Sequence, residues 1–307
     1  MAVMNRKLIN GWNLFLLVSV PMSLLTVIEM ANVDLSSGPG VSHMIAFAVR
    51  FAVPLIFVVT AASALPVLFP GALPTWLLRN RKYIGMCFAV AMAWQGLFIF
   101  MMSTMHRDYY YEDIYFLRDE LEGSTGYIFL AAMVLTTFRF GRSRLTPEQW
   151  KLLHRSGVYF LWAYAFSVYW WNLSYYPDPQ PIDYVFYWAG FLAFALRIAA
   201  WGKRRLTAAR RNSPGVAVPV SLQVSGGVVA AAGLGLAFMG LGWQAQMTSF
   251  LTAPAWSAAL LKWLPYWPFE PFLSLILVGL GTWIGTSYPA AAEGAVGQTW
   301  GRTRASL

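Results

Sequence analysis

Long apolar runs separated by short polar segments fill the chain from end to end. A helix needs roughly 20 apolar residues to cross the hydrocarbon of a bilayer. Eight stretches meet that requirement: about 9–30, 43–68, 83–105, 124–140, 152–172, 183–201, 218–243 and 267–288. The second and eighth contain Pro54, Pro66, Pro268 and Pro271, which are expected to kink or end them.

The polar segments orient these crossings. Arg6 and Lys7 precede the first; Asp34 alone follows it; Arg79, Arg81 and Lys82 follow the second. The third connection, 106–123, is acidic: Asp108, Glu112, Asp113, Asp119, Glu120 and Glu122 stand against Arg107 and Arg118. The fourth is basic, with Arg139, Arg142, Arg144, Lys151 and Arg155 against Glu148. The fifth carries Asp178 and Asp183, and the sixth Lys203, Arg204, Arg205, Arg210 and Arg211. Lys262 and Glu270 lie in the seventh, and Arg302 and Arg304 follow the eighth helix. Cations thus alternate with each crossing, as expected when Lys and Arg are retained on the cytoplasmic side. The pattern predicts an all-α integral membrane protein of eight transmembrane helices with both termini cytoplasmic.

Composition agrees. Of 307 residues, 58% are hydrophobic and 11% charged, with a mean hydropathy of +0.52, whereas soluble domains carry about 25% charged residues. The net charge of +9 is that of the cytoplasmic loops, so it argues against a nucleic-acid partner. The lone Cys87 forms no intrachain disulfide and leaves the compartment open. Residues 1–7 lead into an apolar run without a small-residue cleavage site, which predicts a retained first helix.

The chain divides near residue 212, into a six-helix block (1–212) and a two-helix extension (213–307). In helix seven Gly227, Ala231 and Gly235 recur four apart, a spacing that admits close approach of another helix; packing against the six-helix block is the expectation. Residues 254–264, with Trp256 and Trp263, are expected to lie in the outer interface.

Two passages carry a family resemblance: "WLLRNRKYIGMCFAVAMAWQ" and, after the acidic connection, "GYIFLAAMVLTTFRFGRSRLTPEQWKLLHRSGVYFLWAYAFSVYW". The Arg-Lys-x-x-Gly entry to helix three, the Thr-rich exit of helix four and the Leu-His-Arg entry to helix five resemble the ferric-reductase-like transmembrane superfamily. Within it the likeness is to the haem-binding membrane subunits of bacterial periplasmic methionine sulfoxide reductase systems. It covers about 43–201 and implies a bacterial inner membrane. The resemblance implies b-type haem held between helices three and five by histidines, because neutral imidazole is a strong iron ligand. One ligand is expected ten residues beyond Gly85, where Gln95 stands; one in Leu-His-Arg, where His154 stands; and one thirteen residues later, where Ser167 stands. Both helices run outward, so Gln95 and Ser167 are expected to face each other at the outer haem site, roughly 20 Å beyond His154. Neither is a usual haem ligand. Aromatics, among them Trp94, Tyr164, Trp170 and Trp171, are expected to fill the space.

His154 has two readings, a ligand or quinone contact near the cytoplasmic face and an interfacial hydrogen-bonding residue. His43 and His106 lie near outer helix ends, where interfacial roles are expected. Arg50 sits inside helix two, where a charge is costly; a structural pair with Glu29 competes with a propionate contact. The acidic connection, with Tyr109, Tyr110 and Tyr111, suits a basic periplasmic protein but also an ordinary outer surface. The residues present no nucleotide-binding glycine motif, no metal-spaced His/Cys cluster and no nucleophilic constellation. The expectation is a relative without its own redox centre, serving as a structural or docking subunit of a membrane complex or binding a lipid, quinone or carotenoid. The rivals are a haem b electron carrier using His154 and, more weakly, a transporter.

Overall fold

The computed structural model describes residues 7–212, 217–239, 242 and 271–287, without the side chains of Arg118, Tyr175 and Asn212. Residues 254–264, Pro268, Arg302 and Arg304 lie outside the described residues. A short 3-10 turn, Lys7–Ile9, is followed by α1 (Gly11–Asn32), α2 (Gly38–Ala61), α3 (Leu65–Leu68) and α4 (Ala72–Met105). Then come α5 (Arg107–Tyr109), a π-helical turn (Tyr110–Ile114), α6 (Leu117–Leu135), α7 (Arg139–Arg142), α8 (Pro147–Tyr175) and α9 (Pro181–Asn212). Two helices complete the described chain, α10 (Val220–Met239) and α11 (Leu273–Gly285). Regular structure among the described residues is helical throughout.

The chain is an all-α membrane protein. Among the described residues five helices, α1, α2, α4, α9 and α10, are long and apolar enough to cross a bilayer. The other long helices differ in kind: α6 opens among Asp119, Glu120 and Glu122, α8 is rich in Trp and Tyr, and α11 has 13 described residues.

Helix starts follow local chemistry more closely than hydropathy. α8 begins at Pro147, five residues before its apolar run. Thr146 and Gln149 cap it reciprocally, the Gln149 amide donating to Thr146 Oγ1 (3.2 Å) and the Thr146 amide to Gln149 Oε1 (2.9 Å). This is a capping box with proline at the first helical position. α4 begins at Ala72, so Arg79, Arg81 and Lys82 lie on its first turns rather than in a loop; Pro74 falls where its missing N–H costs nothing. Pro54 remains inside α2, while Pro66 falls in α3 and Pro271 just precedes α11.

The described chain forms two compact units. The first comprises residues up to Pro66, Pro70–Tyr169 and Pro181–Ala193; the second comprises Val67–Phe69, Trp170–Gln180 and the residues from Phe194 onward. In the first, α4 packs along α2 and α1. Val41, Met44, Ala48, Phe98 and Met102 form one core cluster, and Leu14, Val59 and Ile84 another. Asn80, 1% exposed, ties the start of α1 to α4: its Oδ1 accepts from the Gly11 amide (3.0 Å) and its Nδ2 donates to Asn10 Oδ1 (2.9 Å). Gly11 has φ +66°, a left-handed conformation that suits glycine.

In the second unit α10 and α11 meet backbone to backbone. The small-residue face is Gly226, Ala230 and Gly233, with Gly226 and Ala230 one position and Gly233 two positions before the expected Gly227, Ala231 and Gly235, and its partner is α11. Gly227 and Gly235 have nothing within 4 Å of a built Cβ, whereas a Cβ on Gly226 would lie 2.5 Å from the Gly281 carbonyl oxygen. Four-residue spacing leaves the register of such a face open, because adjacent stripes on Gly226–Gly235 are equally small. Gly226→Val should therefore destabilise the α10–α11 pair by about 1–3 kcal/mol, while Gly227→Val leaves it unchanged. Thermal unfolding of both variants in detergent checks this, with the first expected to melt several degrees lower.

Candidate functional site

The positions that matter lie in the first unit, on α4, α6 and α8. α6 ends where Thr136 and Thr137 turn their hydroxyls onto the Ala132 and Met133 carbonyls, both at 2.7 Å. Three side chains gather on that end. Trp150 Nε1 donates to the Thr136 carbonyl (3.1 Å), Lys82 Nζ reaches the Thr137 carbonyl (3.4 Å), and His154 Nε2 meets Thr136 Oγ1 (3.1 Å). The His154 ring lies 4.2 Å from that of Trp150, and the Arg142 guanidinium sits 4.9 Å over Trp150. Donors and cations are favoured here because the last carbonyls of a helix lack intrahelical partners and carry its negative end.

The hydrogen at this contact can be assigned. Thr136 has one hydroxyl hydrogen, and the shorter bond to Ala132 takes it. His154 Nε2 is therefore the donor to Thr136 Oγ1. The other two histidines resolve the same way. His43 Nε2 donates to Glu29 Oε1 (2.8 Å) and His106 Nε2 to the Leu35 carbonyl (3.1 Å). In each the Nε2 lone pair is unavailable to a metal.

Gln95 and Ser167 are engaged as well. Tyr127 Oη lies 3.1 Å from both Gln95 Oε1 and the Met92 carbonyl. Ser167, 4% exposed, donates to the Tyr164 carbonyl of its own helix (2.8 Å). The two expected facing positions are thus not hydrogen-bonded to each other: Gln95 is satisfied from α6. Among the described residues no group of three His, Cys, Asp or Glu is placed to hold a metal ion. This donor set does not fit a bis-imidazole haem.

Aromatic rings fill the ground between α2, α8 and α9. Trp162, Phe166 and Tyr187 stack at centroid spacings of 5.3 and 5.4 Å. Trp162 Nε1 donates to the Gly190 carbonyl (2.9 Å), and a Cβ on Gly190 would come within 2.8 Å of Phe57. Trp94 donates to Ser23 Oγ (3.0 Å), and Trp170 is buried.

Arg50 is exposed on α2 and is not paired with Glu29, whose partner is His43. The sequence reading placed Glu29 against Arg50 because both lie on neighbouring helices near one interface, which does not say which side chain reaches it first. Sequence reasoning missed Asn80, Tyr127 and Thr136. Asn80 and Tyr127 carry no pattern that distinguishes them from other polar residues.

Asp34, between α1 and α2, accepts from the Ser36 hydroxyl (2.6 Å) and amide (2.9 Å), which hold its carboxyl below the usual carboxylate range. A depressed value means that this contribution is present above the ordinary pKa and is lost as pH falls through the lowered one.

The chain matches no protein-family model, no curated protein and no solved structure. Thr136→Val removes the acceptor for His154 and should cost about 1–3 kcal/mol, the penalty for an unsatisfied buried donor. Thr136→Ser should restore most of it. Thermal denaturation of the two variants in detergent provides the comparison.

Proposed function

We propose that the chain is a haem-free relative of the ferric-reductase-like membrane domain, acting as a structural and docking subunit of a larger membrane complex. One observation carries this reading: each position at which the family would place an iron ligand is already committed to a protein partner. Gln95 accepts from Tyr127, Ser167 donates to Tyr164, and His154 donates through Nε2 to Thr136. Fold kinship does not transfer function across a lost ligand set.

The topology belongs to the same proposal. Eight crossings, with the termini and the Lys/Arg-rich segments in the cytoplasm of a bacterial inner membrane, satisfy the charge alternation of the sequence. The six-helix block followed by a helix pair then accounts for the family-like passages and for the tight α10–α11 contact. An electron carrier would need a second axial ligand opposite His154, and His43 and His106 both use Nε2 elsewhere.

The visible spectrum of the detergent-purified protein, oxidised and dithionite-reduced, with a pyridine haemochrome assay, tests the reading. The expected result is folded protein without stoichiometric b-type haem, migrating in gently solubilised membranes as part of an assembly larger than its own 34.3 kDa. A stoichiometric b-type signal overturns it in favour of electron transfer. A stoichiometric quinone or carotenoid in a monomeric protein overturns it in favour of a lipophilic carrier.

A further inference from the structure

The segment from Met105 to Leu121 stands at the far end of α4 from Arg79, Arg81 and Lys82. α4 has 34 residues and is about 51 Å long. The segment is anchored from beneath. The Tyr109 ring lies on Gly38 of α2, where any Cβ would overlap it. Tyr109 and Tyr110 pack against the Val41–Phe98–Met102 core, and His106 donates to the Leu35 carbonyl. Tyr110 donates through its hydroxyl to Glu120, which joins the π-helical turn to the start of α6. The three consecutive tyrosines therefore do different work: two face inward and hold the backbone, and Tyr111 faces out.

The outward surface is apolar. Tyr111, Phe116, Leu117 and Leu121 are 52%, 61%, 60% and 60% exposed. Carboxylates interrupt and border it: Asp108, Glu112, Asp113 and Asp119 are exposed. Arg107 is drawn over the Tyr111 ring, 5.5 Å from its centroid. Lipid tails do not suit such a surface. Glu112 and Asp113 directly follow Tyr111, and placing them in hydrocarbon would cost about 2.5–3.5 kcal/mol each. Held in water, an apolar surface of this kind marks an interaction site. Its carboxylate border selects a cationic partner and repels both an acidic one and an anionic lipid surface.

We propose that the Met105–Leu121 surface docks a protein outside the bilayer that presents lysine or arginine side chains around an apolar contact. Tyr111 and Phe116 enter that contact, and Asp108, Glu112, Asp113 and Asp119 meet its cations. This rests on the reading of the chain as a docking subunit and names the surface and the kind of partner.

A photoreactive benzoyl-phenylalanine in place of Phe116, in the full chain in intact cells, provides the test, with the same group at the exposed Leu78 as control. Adducts are identified by mass spectrometry. The expected result at position 116 is a heteromeric adduct with a protein whose contacting surface is basic. Its yield should fall about tenfold or more when Glu112→Lys and Asp113→Lys are combined, because like charges then face each other. Leu117→Ser, which leaves the charges in place, should also lower it. Both variants alter exposed side chains, and equal accumulation in the membrane verifies that they fold. An adduct with phospholipid alone, an adduct with a second copy of this chain, no adduct, or an adduct indifferent to charge reversal overturns the proposal. The visible spectrum of the same preparation separates the two failures. Haem with a charge-dependent adduct overturns the haem-free reading and leaves the docking surface. No haem and no adduct overturns the surface and leaves the haem-free reading.

Discussion

A polar group inside hydrocarbon finds no water, and leaving it without a partner costs several kcal/mol. That penalty directs the interior polar atoms of this protein. Thr26, Thr60, Thr136 and Thr137 return their hydroxyls to carbonyls four residues earlier on their own helices. Asn80 turns its amide to the start of α1, Trp94 donates to Ser23, and Trp162 donates to Gly190. The longer-range bonds join different helices, so satisfying polar groups also sets which helices meet and at what height. Packing alone leaves that height loosely specified, because one apolar turn of helix resembles the next.

The same penalty applies at Gln95 and Ser167. An amide or a hydroxyl away from water needs a hydrogen-bond partner. Gln95 finds Tyr127 and Ser167 finds its own helix. Voids between helices forfeit dispersion contacts. The Trp162–Phe166–Tyr187 stack, pressed onto Phe57 where Gly190 has no side chain, supplies ring surface between α2, α8 and α9.

The membrane class and helical architecture were legible because they rest on sums over many residues: hydropathy over a span and the paucity of charge. What decided individual contacts was less so. The Thr-Pro-Glu-Gln cap of α8 is explicit in the sequence, yet a hydropathy reading starts the helix five residues late, since Glu148, Gln149 and Lys151 lower the average. The packing face of α10 was displaced by one or two positions because Gly226 and Gly227 are adjacent and chemically identical; only the presence of α11 on one side distinguishes them. The pairing of Glu29 with His43 rather than Arg50 depends on side-chain reach, which spacing along two helices does not encode.

The surroundings of His154 follow from where α6 stops. Its last carbonyls are open to side-chain donors, and two helices supply them: Lys82 from α4 and Trp150 from the first turns of α8, with His154 beside Trp150 meeting the Thr136 hydroxyl. Trp150 precedes His154 by four residues, so both project from one face of α8 onto the same helix end. A leucine at 154 would leave Thr136 Oγ1 with one partner fewer and Trp150 without its stacked ring. A lysine would bring a fixed charge to a helix end that already gathers Lys82 and Arg142. A neutral imidazole donates one hydrogen bond, offers a flat face to Trp150 and adds no charge among cations. Those are sufficient structural reasons for the residue, and they ask nothing of its remaining nitrogen.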